Sequence, residues 1–171
     1  DGAALVAWLN ERRFAFTETD AVTFANYAAR GWCFVVSTLR PGADAKQAAS
    51  PRDGLAAPLI LRFASEKAVY PLMLTGTGGY DTQVLLYTIT EKRLACDGRL
   101  PLKFAGNAGR VMLDELRRTV IPGGFFDALE GSAMDRICRF SGTLTPDAMK
   151  TDLVFTPSGD QQDYRETVVV W

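Results

Sequence analysis

The sequence contains no histidine. That absence removes Ser-His-Asp and Cys-His catalysis, the commonest zinc sites, and the side chain that exchanges protons nearest neutral pH. The chain also lacks the Gly-x-x-x-x-Gly-Lys phosphate loop, Gly-x-Gly-x-x-Gly, Gly-x-Ser-x-Gly, Ser-x-x-Lys and Cys-x-x-Cys, so no cofactor-binding or redox motif is expected of it. An excess of charge is missing too: 19 Lys and Arg stand against 20 Asp and Glu, a net of -1, with a pI of about 5.5. Nucleic acid and anionic membrane surfaces are therefore not expected partners. The longest apolar runs, at 32–36 and 84–89, fall far short of the roughly 20 residues that cross a bilayer, which predicts no membrane insertion by this segment.

What is present is an ordinary globular composition, 47% hydrophobic and 23% charged over 171 residues. Such a length predicts a single domain over residues 1–171, with one sizeable core. The opening on Asp1, in a stretch that already reads as helix, predicts a piece of a longer protein.

Apolar spacing predicts a helix over 3–13, carrying Leu5, Trp8 and Leu9 on one face, and a second over 21–30. Thr19 or Asp20 is the expected cap of the second helix, and Gly31 its stop. The run Trp32, Cys33, Phe34, Val35, Val36 predicts a strand buried on both faces. Residues 41–57, rich in Ala, Gly, Pro and charge, predict a surface loop. Next comes an expected hairpin of 58–64 with 68–75 across Ser65, Glu66 and Lys67, in which Pro71 marks an edge or a bulge. Gly76, Thr77, Gly78 and Gly79 could offer backbone N–H groups to an anion, but with no following helix a plain hairpin loop is expected.

Residues 82–90 make the clearest strand. Val84, Leu86 and Thr88 alternate with Leu85, Tyr87 and Ile89, which predicts a sheet covered on both faces. Further strands are expected at 100–104, 136–141, 153–155 and 167–171, with a helix at 111–120 and an irregular Gly-rich piece around Phe125, Phe126 and Leu129. The fold class predicted is α+β: a mainly antiparallel sheet packed by two N-terminal helices and one later helix. Within SGTLTPDAM, Gly142 suits a turn, Thr145 an N-cap, Pro146 the first helical position and Asp147 the first turn, so this stretch reads as a corner rather than a site.

In chain order, LVAWLNERRF, YAARGWCFVVSTLRPGA, PLILRFASEKAVYPLMLT and SGTLTPDAMKTDLVF resemble the later half of a bacterial family known as domain of unknown function 2330. Members of that family look like exported, often membrane-anchored proteins with an additional amino-terminal half. The resemblance implies an extracytoplasmic setting and carries over no catalytic residues, because the family has no established activity. An oxidising setting favours a disulfide between Cys96 and Cys138, closing a loop of about 40 residues worth roughly 4 kcal/mol on the chain-entropy model. Spacing alone leaves the two paired or free. Cys33, inside an apolar run, reads as a small buried thiol.

Asp81, Asp97, Asp114, Glu115, Asp127, Asp152, Asp160 and Asp163 are the acids placed at loops and element ends, where two could serve a glycosidase. None is framed by aromatic residues that would hold a sugar, so solvated charge is the expected role. Asp160 and Asp163 are spaced to reach Ca²⁺, but an EF-hand ligand series is absent and no metal is expected. The sequence thus predicts a non-catalytic extracytoplasmic binding or envelope-structural domain, with an unknown protein or envelope component as partner. The alternative is a carboxylate-dependent hydrolase with a cleft shared with a missing N-terminal half.

Overall fold

The computed structural model describes residues 2–36, 61, 63–107 and 135–167. Helix α1 (Gly2–Glu11) and helix α2 (Glu18–Ala29) form an antiparallel pair. The cap of α2 is Thr17 rather than Thr19 or Asp20. The Thr17 hydroxyl accepts from the Asp20 N–H at 3.2 Å while the Asp20 carboxylate accepts from the Thr17 N–H at 2.7 Å, a reciprocal capping box. That backbone bond in particular holds the Asp20 carboxyl below its ordinary range.

Both helices end alike. At α1, the Arg13 N–H donates to the Asn10 carbonyl and the Phe14 N–H to the Leu9 carbonyl; at α2, Gly31 and Trp32 donate to Ala28 and Tyr27. These are Schellman motifs, and each places an aromatic residue back on the helix: Phe14 stacks on Trp8, and Trp32 packs edge-on against Tyr27 with ring centres 5.2 Å apart. Gly31 takes the required left-handed conformation at φ 80°, as its position predicted.

This geometry explains the first correction. Residues 32–36 are not a strand and are not buried on both faces; Cys33, Val35 and Val36 are exposed. The aromatic side chains of the run lie back on α2 instead, Phe34 packing edge-on against both Phe24 and Tyr27.

Among the described residues seven strands follow, in two sheets. Strand β1 (Ala68–Tyr70) leads into a short helix α3 (Leu72–Gly76), then come β2 (Thr82–Thr90), β3 (Leu94–Ala95), β4 (Leu102–Asn107), β5 (Arg136–Leu144), a 3-10 turn (Asp147–Met149), β6 (Leu153–Pro157) and β7 (Tyr164–Arg165). Of the expected hairpin of 58–64 with 68–75, residues 58–60 and 62 lie outside the described residues; 61, 63 and 64 are not strand, and 72–76 is helix rather than strand. Strand β1 pairs antiparallel with β6, and Pro71 stands at the N-cap of α3, so the chain leaves the sheet after three residues. Gly76 ends α3 where a Cβ would come within 2.9 Å of the Met149 Cβ, and the Gly76–Gly79 turn therefore joins a helix to a strand, not two strands.

The larger sheet has the order β2-β5-β4-β7, the smaller β1-β6-β3. All nine residues of β2 pair with β5, from Thr82 opposite Leu144 to Thr90 opposite Arg136. The inner faces of the two sheets meet in one core of Val84, Leu94, Leu100, Ala105, Cys138, Phe140, Leu144, Leu153 and Phe155, with Leu72 of α3 and Met149 of the 3-10 turn. Phe140 and Phe155 pack edge-on across it, ring centres 5.2 Å apart.

The outer face of the larger sheet is covered at Ile137 but open at Leu85 and Tyr87, which are 55% and 51% exposed. The expectation of two covered faces thus holds at one end only. The architecture is α+β with antiparallel sheets, as predicted, and among the described residues the third helix is α3. The helix expected at 111–120, the Gly-rich piece after it, the 41–57 loop and residues 168–171 lie outside the described residues.

Candidate functional site

A groove of about 470 Å³ opens between the two sheets. Residues 65–70, consecutive in the chain, form one bank, and Leu86, Tyr87 and Thr88, also consecutive, form the other. Successive residues of a strand point to opposite faces, so a cavity touched by all of them runs beside the strand's edge rather than across its face. The banks are thus the edges of β1 and β2 that face away from their partners β6 and β5.

Trp32, placed by the end of α2, Phe63 and Phe155 complete the lining. Phe63 is 77% exposed. At the rim, the Ser65 hydroxyl donates to the Lys67 carbonyl at 2.6 Å and shapes the turn into β1. The Thr88 Oγ1 is buried with no hydrogen-bond partner among the described residues. Among the described residues Glu66 is the only carboxylate in the lining and Lys67 the only base, and their charges balance.

Two polar joints hold the walls in place. The Tyr27 hydroxyl donates to the Asp152 carboxylate, which also accepts from the Met73 N–H at 3.3 Å and from Arg30 at 3.3 Å. The Arg30 guanidinium lies 4.5 Å over the Tyr27 ring. Burial, and then the neighbouring Asp152 carboxylate, push the Tyr27 hydroxyl well above its ordinary pKa, so it stays a donor. This joint ties α2, and with it Trp32, to α3 and the start of β6.

The second joint is Arg99. Its guanidinium donates to the carbonyls of Thr151 and Asp152, each at 2.9 Å, to that of Ala148 and to the Asp97 carboxylate. These carbonyls belong to the segment that crosses from the larger sheet to the smaller, that of Ala148 in the SGTLTPDAM corner and those of Thr151 and Asp152 just after it. Within it the Ala148 N–H donates to the Thr145 hydroxyl at 3.3 Å, as the sequence predicts for a cap, and Asp147 pairs with Lys150 at 2.7 Å. The one exception to the expected corner is Gly142, which is not in a turn but inside β5 opposite Val84, because β5 runs on to Leu144.

Among the described residues the candidate acids do not come together. Asp97 is held by Arg99, Asp152 by Tyr27 and Arg30, Asp160 by Arg93 at 2.7 Å and Asp163 by Arg136 at 2.6 Å. Asp81 is exposed, and Asp114, Glu115 and Asp127 lie outside the described residues. The Arg99 side chain above all keeps the Asp97 carboxyl below its ordinary range; the Gln162 N–H, ahead of Arg93, does the same for Asp160. With Asp160 and Asp163 each given to an arginine, no metal-holding group forms among the described residues.

The cysteines correct the sequence reading. Cys96 and Cys138 carry free thiols, Cys138 fully buried in the core and Cys96 packed against it, so the pairing that the sequence left open is not shown. Cys33 is free but exposed, because the run that holds it is not a strand.

Sequence reasoning did not find the groove. Its aromatic residues come from four separate segments, and Tyr87 read as buried. One signal was available: Gln83, on the same face as Leu85 and Tyr87, is a residue that a fully covered face seldom holds.

A family described as "Uncharacterized protein conserved in bacteria (DUF2330)" matches residues 1–146. No curated protein and no solved structure matches the chain. Among the described residues, no helix is long and apolar enough to cross a membrane.

Proposed function

The chain belongs to the bacterial DUF2330 family, and from that premise we propose that it is a non-catalytic, extracytoplasmic domain that binds a partner or serves envelope architecture. One observation carries the proposal: among the described residues the groove holds a single carboxylate, Glu66, where a hydrolase working through acids needs two. The remaining described candidate acids are either paired to arginines that brace the fold or exposed. The extracytoplasmic setting rests on the likeness of the chain to exported proteins of this family, not on its three free thiols.

Two measurements test the reading. A carboxyl ¹³C titration followed by NMR is expected to find Asp20, Asp97 and Asp160 ionising below the ordinary carboxylate range. A groove-facing carboxyl that kept its proton near neutral pH would instead favour the hydrolase. An alkaline phosphatase reporter fused to the full-length precursor is expected to be active in the bacterial cell, because that enzyme matures only outside the cytoplasm; an inactive, stably produced fusion would overturn the export.

A further inference from the structure

We infer that the groove takes an extended, uncharged peptide segment, which adds as a strand to the edge of β2 that has no partner among the described residues. The inference rests on the binding reading above and names its partner class. Strand β2 reads Thr-Gln-Val-Leu-Leu-Tyr-Thr-Ile-Thr: nine residues without a charge or a proline. Sheet edges are normally guarded against added strands by charge, proline, a bulge or shortness, and β2 has none of these. Its pairing with β5 runs through all nine positions without a register shift.

The groove lies along this edge. An antiparallel strand turns alternate N–H and C=O groups toward its one partner and the others away, so β2 presents a row of backbone donors and acceptors on the side that borders the cavity. Leu86, Tyr87 and Thr88 span about 10 Å of strand, room for roughly three residues of a paired peptide. Side chains of such a peptide would fall alternately toward Tyr87 and Phe63, both exposed, and toward the interior, where the Thr88 hydroxyl stands unpartnered. The opposing Glu66 and Lys67 give the groove no preference for a charged ligand. These features fit strand addition, in which main-chain hydrogen bonds supply affinity and side-chain pockets supply selectivity.

The test uses the full chain, ¹⁵N-labelled, and the peptide acetyl-Lys-Thr-Val-Tyr-Val-Thr-Lys-amide, whose terminal lysines serve solubility outside the paired part. Saturable shifts concentrated at Leu86–Thr88 and Ala68–Tyr70 are expected. The same peptide N-methylated on alternate amides, in each of the two registers, keeps its side chains but loses main-chain donors. One register is expected to bind about tenfold more weakly, as when two or three modest hydrogen bonds are lost. Tyr87→Lys, checked for folding by its unfolding curve, is expected to weaken the parent peptide to a similar degree. Equal binding by all three peptides, shifts elsewhere, or none at millimolar peptide would overturn the inference. So would saturable binding of cellohexaose in the groove in place of the peptide, or a concentration-dependent dimer that uses β2 and ignores it. Mass spectra of the titration mixture separate the two levels: cleaved peptide would contradict the non-catalytic reading, whereas intact, unbound peptide would reject this inference alone.

Discussion

The two edges of the larger sheet are built on opposite plans. The far edge, β7, has only two residues, Tyr164 and Arg165, and is surrounded by ion pairs. Lys103 meets Glu166 at 2.6 Å, Arg136 meets Asp163 at 2.6 Å, and Arg93 reaches both Asp160 and the Gln162 carbonyl. The near edge, β2, is nine residues long and uncharged, and it borders an aromatic groove. A charged, abbreviated edge refuses further strands; a long neutral one accepts them. One sheet therefore has a closed side and an open side, and the open side is where a binding role belongs.

The largest expected effect comes from the joint that holds both sheets together. Arg99→Ala removes the donor to three carbonyls of the crossover and the partner of Asp97, and is expected to cost about 3 kcal/mol in urea unfolding. Tyr27→Phe is next, at about 2 kcal/mol, because it removes the hydroxyl donor to a buried Asp152 oxygen and leaves that oxygen only the longer bond from the Met73 N–H. That substitution should also free Trp32, seen as a change in its fluorescence, and so loosen one wall of the groove.

Arg136→Ala sharpens the contrast between the edges. Its guanidinium, mostly shielded, holds Asp163, Asn107 and the Gln161 carbonyl, and its loss is expected to cost about 1 kcal/mol. Amide exchange should rise at β7 while β2 is unchanged. Acid sets a further test at the Arg99 joint. Because the Asp97 carboxyl lies below its ordinary range in the folded protein, the stability it contributes is present above the unfolded-state pKa of about 4. It is lost as pH falls through the lower folded value, so Asp97→Asn is expected to flatten that acid limb. The smallest effect on stability belongs to Tyr87→Lys, within about 0.5 kcal/mol at a half-exposed site, although it sets a charge on the open edge.

Local chemistry made part of this legible in the sequence. Strand β2 was read at its observed bounds because a neutral, β-branched and aromatic run suits a strand whichever face is buried. Gly31 marked the end of α2, and Thr145 the cap of the corner, since both act on their own neighbours. Distance in sequence hid the rest. The 32–36 run has the composition of a buried strand, but its aromatics pack back on α2, a choice set by the Schellman turn rather than by composition. In 68–75 a single proline divides a strand from a helix. Asp152 read as surface charge because Tyr27 and Arg30, which bury it, stand more than a hundred residues earlier. Strands β3 and β7, two residues each, are too short to show a period.

Hydrogen exchange along β2, amide by amide in the free protein, is the most direct test of an open edge. Protection is predicted to alternate from Thr82 to Thr90: amides bonded to β5 slow, and the intervening ones that face the groove fast. Uniform protection along the strand would contradict the account, because it would mean that the edge already has a partner.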